Sequence, residues 1–125
     1  MHDYLFVKLD KKFSKIFFSD ILYAEAVKKY VKIVTIKKVY LILASMCSVE
    51  HILPSSQFCR IHRSYIVSLN HTSHFDNELV YIGDKIFPIG KQHRGILQEK
   101  VIILSGELRT EIHQDVDQNE ASTVS

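Results

Sequence analysis

Tyr30-Val31-Lys32-Ile33-Val34-Thr35-Ile36-Lys37-Lys38-Val39-Tyr40-Leu41-Ile42-Leu43-Ala44 is the stretch whose reading decides the fold class. β-Branched and aromatic side chains dominate it, and these fit a pleated, half-buried surface. Two runs, Tyr30–Ile36 and Val39–Ala44, are separated by Lys37-Lys38, so the stretch predicts a hairpin closed by the two lysines. Its register stays open, because no glycine or asparagine marks the turn.

Toward the amino terminus the strand signals continue. Ile21–Ala26 and Ile16–Phe18 are expected as short strands separated by Ser19 and Asp20, whose side chains favour turns by bonding nearby backbone. Leu5, Val7 and Leu9 alternate with Tyr4, Phe6 and Lys8, as a strand with one buried face requires. Toward the carboxyl terminus, Ser45 is placed to cap a short helix over Met46–Ile52, and Pro54 ends it. Phe58–Leu69 reads as a further strand-like run, followed by a polar loop over Asn70–Asn77. Leu79–Ile82 and Lys85–Phe87 flank Gly83-Asp84, a pair suited to a two-residue hairpin turn. Gln92–Leu104 is ambiguous: Ile96, Leu97, Val101 and Leu104 fit a helical stripe, whereas Val101–Leu104 alone fits a strand. The expected class is mainly β, with roughly eight or more short strands and one or two short helices. That pattern does not suit a helix-turn-helix, so any nucleic-acid reading must come from loops, strands or strand ends.

The 125 residues are the size of one ordinary domain, and 46% hydrophobic content supplies a core. No run is long and apolar enough for a membrane-spanning helix, and no secretory stretch opens the chain, so a soluble, cytoplasmic protein is expected. Cys47 and Cys59 lack the spacing of a metal or redox pair and are read as reduced, packed thiols. The net charge of +2 is uneven: residues 107–125 hold five acids against Arg109 alone, leaving 15 Lys and Arg against 9 Asp and Glu in residues 1–106. A folded domain over 1–106 and an acidic, disordered tail over 107–125 are therefore expected. The basic part could attract a polyanion.

No phosphate-binding glycine loop, His-Glu-x-x-His or Gly-x-Ser-x-Gly is present, and the chain is not read as an enzyme. His71-Thr72-Ser73-His74 offers two histidines three apart, but nothing nearby completes a zinc set, so no metal or cofactor is expected. Asp76 and Glu78 read as ordinary solvated acids.

Three blocks carry a family resemblance. Phe18-Ser19-Asp20-Ile21-Leu22-Tyr23-Ala24-Glu25-Ala26, followed by Tyr30-Val31, is the first; Leu53-Pro54-x-x-x-Phe58-x-Arg60-Ile61-His62-Arg63-Ser64-Tyr65-Ile66-Val67 is the second. The third is Phe87-Pro88-Ile89-Gly90-Lys91-Gln92-His93-Arg94. In this order, over roughly Tyr4 to Gln98, they resemble the LytTR-type DNA-binding domain, the output half of LytR/AgrA-type response regulators. The sequence departs from that pattern at Ser68, where asparagine is frequent, and in the hydrophobic Val101–Leu104.

The resemblance implies an elongated, mostly antiparallel β fold that sends loops into successive major grooves and binds promoter direct repeats in duplex DNA as a dimer. It also implies a preceding receiver domain. Receiver features are absent here, and the chain is read as an excised output domain or a short family member.

Site candidates combine chemistry with that resemblance. Lys28 and Lys29 occupy a turn where long cationic chains can reach phosphates or base edges. Arg60, His62 and Arg63 interleave with apolar residues, and Arg63, matched to a contact position of the family, could grip guanine or phosphate. His62 is read equally as a contact or as a packed histidine shaping the motif. Lys91 and Arg94 are expected at a helix start, where free amides favour phosphate. The competing function is a small β-rich protein-interaction module that recruits a chain through strand edges.

Overall fold

Alternating side chains build the first layers of the molecule. In the computed structural model, which describes residues 3–112, β1 (Tyr4–Leu9) and β2 (Lys12–Phe17) form an antiparallel hairpin. Their inward residues, among them Val7 and Ile16, are buried, while Phe6, Phe13 and Phe17 stay exposed on the other face. β2 begins earlier than the expected Ile16–Phe18, and Phe18 belongs instead to a 3-10 turn, Phe18–Asp20. Only Ile16 of β2 is buried, so most of that strand carries no apolar signal.

Five strands make the central antiparallel sheet, in the order β5-β4-β3-β7-β6. They are β3 (Ile21–Val27), β4 (Tyr30–Thr35), β5 (Val39–Leu43), β6 (Phe58–His62) and β7 (Tyr65–Ser68). The β4–β5 turn is displaced by one residue from the Lys37-Lys38 expectation, because Thr35 N donates to Lys38 O at 3.0 Å. The Thr35 hydroxyl holds this turn, accepting from Lys37 N at 3.2 Å and Lys38 N at 3.0 Å and donating to Lys38 O at 2.7 Å. A threonine hydroxyl thus supplies the local bonding that asparagine supplies in other turns.

Phe58–Leu69 is two strands rather than one run, broken at Arg63-Ser64. The expectation failed because β6 and β7 bury residues on both faces, which removes the polar alternation that would have exposed the break. One face carries Ala24, Val31, Ile33 and Ile66 against the β1–β2 hairpin and α1 (Met46–Ile52). Ser45 caps α1, its hydroxyl accepting from Ser48 N at 3.1 Å, as the sequence predicted.

The opposite face carries Tyr23, Cys59 and Val67 against a smaller sheet and α2 (Ile96–Lys100). That sheet has the order β10-β9-β8, from β8 (His74–Phe75), β9 (Leu79–Ile82) and β10 (Lys85–Pro88). The Gly83-Asp84 hairpin is as expected, with Gly83 at φ 60°. β8 lies inside the expected polar loop; it is two residues long, and His74 stacks on Tyr81 at 4.2 Å between ring centroids. His71 Nε2 bonds Ser19 O at 2.7 Å. Of the ambiguous Gln92–Leu104 segment only Ile96–Lys100 is helical, and Ile102 and Leu104 are fully exposed with no strand assigned. Of the expected tail, residues 107–112 are exposed and without regular structure, and residues 113–125 lie outside the described residues. No helix among the described residues is long and apolar enough to cross a membrane.

Candidate nucleic-acid interface

Side chains, rather than a turn-forming sequence, hold the β6–β7 turn. The Arg60 guanidinium donates to His62 O at 3.2 Å, Arg63 O at 2.8 Å and Glu50 Oε1 at 2.9 Å. Its fork is therefore spent inside the protein, gripping two carbonyls of the turn. His62 Nδ1 accepts from Ser64 N at 3.0 Å, so the other ring nitrogen carries the proton, and the ring lies 5.4 Å from that of Tyr65. Between these supports Arg63 is exposed, and its guanidinium has no hydrogen-bond or ion-pair partner among the described residues.

The segment after β10 docks against this turn. Gly90 N donates to Ile61 O at 2.8 Å, and a Cβ at Gly90 would meet His93 Nδ1 at 3.3 Å and His62 Cδ2 at 3.5 Å. A side chain at residue 90 would therefore ask the His93 ring to shift by a few tenths of an ångström. His62, Arg63, Gly90, Lys91, Gln92 and His93 together line an open surface cavity of about 270 Å³. Lys91–His93 form a 3-10 turn, and Gly95 at φ 86° separates it from α2. Lys91 thus opens a 3-10 turn rather than an α-helix, and Arg94 follows that turn as its C-cap. Lys91 is exposed on the cavity rim, while Arg94 Nη2 lies 4.0 Å from Glu78 Oε2, directed toward the smaller sheet.

The β3–β4 turn sits at the same end of the central sheet. Ala26 N donates to Ser64 O at 2.9 Å, which places Lys28 and Lys29 two and three residues from the β6–β7 turn. Both lysines are exposed, and Lys28 takes φ 56°, a left-handed conformation that costs an ordinary residue about 1 kcal/mol. The nearby acids Glu25 and Glu50 are occupied by Lys32 at 3.4 Å and Arg60 at 2.9 Å. One end of the sheet therefore presents Lys28, Lys29, Arg63 and Lys91 with no ion pair among the described residues.

The family model for the LytTr DNA-binding domain matches residues 11–101. The chain belongs to the LytTR family of DNA-binding domains. The LytTR fold is also found in the solved LytTr DNA-binding domain of a protein described as a methyl-accepting/DNA response regulator from Bacillus cereus. The two are 21% identical, with a TM-score of 0.67 over 80% of this chain and 97% of that one. No curated protein matches the sequence.

In this LytTR domain the structure adds two residues that the sequence reading passed over, Gln92 and His93. Gln92 is exposed on the cavity rim; its signal was its place between two basic candidates, which drew attention to charge alone. His93 Nδ1 is buried without a hydrogen-bond partner among the described residues, against the Gly90–His62 contact. Cys59 lies behind the site in the second core, where burial pushes its thiol above the usual value, as befits a packed, unreactive cysteine.

Proposed function

We propose that this domain binds duplex DNA sequence-specifically and regulates transcription as the output domain of a two-component response regulator. One observation carries the reading: four exposed cations with no ion pair among the described residues are gathered, by Ala26–Ser64 and Gly90–Ile61 backbone bonds, at one end of one sheet. Cations held there can neutralise phosphates along a groove, which suits binding rather than catalysis.

Arg63 is the base reader, because its turn is fixed and its fork is free to donate two parallel bonds to guanine O6 and N7. Lys28, Lys29 and Lys91 grip phosphates and set register. Gln92 stands where an amide could pair with adenine N6 and N7. Arg60 acts through the turn it holds, and His62 shapes that turn with direct contact secondary. Arg94 is an outer phosphate contact. The family resemblance further supports a receiver domain in the full-length protein, dimers on promoter direct repeats, a cytoplasmic location, and no metal or cofactor.

Selection from a random duplex pool tests this. A motif enriched at moderate salt, with affinity falling steeply as salt rises, is the expected result. Enrichment of no motif sinks the reading. The protein-interaction alternative has one observation in its favour, the outer edge of β5, with which no described segment pairs, and predicts binding that changes little with salt.

A further inference from the structure

The central sheet finishes its two edges differently. At β6 the outward carbonyls are taken, Ile61 O by Gly90 N at 2.8 Å and Phe58 O by Lys100 Nζ at 2.8 Å. β10 carries Lys85 and Pro88, and β8 is two residues long, so those edges of the smaller sheet are blunted. β5, the last strand beyond β4, has no such device. Val39–Leu43 contains no charge, proline or bulge, and no described segment pairs with its outer side.

Backbone geometry says which groups are open. The Thr35 N to Lys38 O bond fixes one hydrogen-bonded pair with β4, and such pairs alternate, so Tyr40 and Ile42 also face β4. The N–H and C=O groups of Val39, Leu41 and Leu43 therefore point away from the sheet. The same three side chains are 55%, 53% and 67% exposed. Backbone donors, backbone acceptors and an apolar row thus coincide on one strand.

We propose that β5 is a self-association edge, pairing antiparallel with β5 of a second copy of this chain about a two-fold axis at Leu41. This inference does not rest on the DNA reading. The register is self-complementary: Leu41 meets Leu41 of the second copy, Val39 meets its Leu43, and every open donor finds an open acceptor. The flanking lysines avoid each other, since Lys38 falls opposite Ala44 and Lys37 opposite Ser45. A parallel arrangement would stack each lysine beside its own copy and would not close. Leu41 neighbours Lys32 on β4, whose charge is already met by Glu25 at 3.4 Å. One short strand buries well under the roughly 800 Å² per partner of a standard interface, so the dimer is weak and concentration-dependent.

Sedimentation and amide exchange of the full chain over a concentration series test the proposal. Monomer giving way to dimer as concentration rises, with exchange slowing at Leu41 and Leu43, is the expected result. Leu41→Pro removes the central outward donor without costing a bond to β4, and Leu41→Lys sets two charges face to face; each should abolish association. Phe13→Lys, at a residue 67% exposed on the β1–β2 hairpin, should leave it unchanged. A chain that stays monomeric to about 1 mM overturns the proposal. So does a dimer that survives both Leu41 variants, or protection of the Leu41 amide that is independent of concentration, which would mean that the chain's own segment covers the edge.

Discussion

Two turns at one end of the central sheet hold their cations by opposite means. The β3–β4 turn carries Lys28 at φ 56° and relies on a left-handed backbone for its shape. The β6–β7 turn carries Arg63 between the guanidinium of Arg60 and the ring of His62, which bond its backbone at three points. A cation on the first turn needs only to find a diffuse phosphate charge. A cation on the second is held in register, as bidentate recognition of one base edge demands.

Removing the support is the strongest way to break this contrast. Arg60→Ala leaves the His62 and Arg63 carbonyls without their charged donor, and the loss in stability should be about 1.5–3 kcal/mol, read by urea unfolding. The Glu50 ion pair adds little to that figure because its carboxylate is half exposed. DNA selectivity should fall as well, although Arg60 itself touches no base. Arg60→Lys should not rescue it, since an ammonium cannot span three acceptors in a fixed plane.

Arg63→Ala sharpens the comparison from the other side. The fold should be kept, with binding to the preferred site weakened by about 1–3 kcal/mol and selectivity relaxed at one base pair. Titration against preferred and scrambled duplexes separates the roles, because equal losses on both would make Arg63 a phosphate contact.

Lys28→Gly tests the strained turn. Relief of the left-handed conformation and the added freedom of the unfolded chain oppose each other, so stability should lie between no change and a gain of about 1 kcal/mol. The slope of log affinity against log salt should shrink by about one unit, equally on all sequences. Loss of selectivity in this variant would place base reading on the wrong turn.

The smallest effect belongs to a turn outside the site. Asp76 Oδ1 accepts from Glu78 N and Leu79 N, each at 2.8 Å, and these bonds hold its carboxyl below the usual value of about 3.8. A lowered native value means stabilisation present above 3.8 and lost as pH falls through the native value. Asp76→Ala should therefore be slightly less stable at neutral pH, and the two melting curves should converge in acid.

The same contrast explains what was legible in the sequence. Gly83-Asp84 and the Ser45 cap announce themselves because the residues that make them act on adjacent backbone. Arg63-Ser64 does not, because that turn is made by Arg60, three residues back, and Glu50, on another element. The Thr35 turn hid for a related reason: threonine is also a good strand residue. The candidate site was found by charge and motif together. Charge could not show that Arg60 is consumed internally, nor that Gln92 shares the rim with Arg63.

Gly90 joins the two walls of the cavity at backbone distance, so Arg63 and Lys91 do not move as separate fingers. Much of their relative ordering is completed before DNA arrives, and association forfeits less freedom than it would with independent loops. Substitutions at the two positions should consequently be non-additive in a double-mutant cycle.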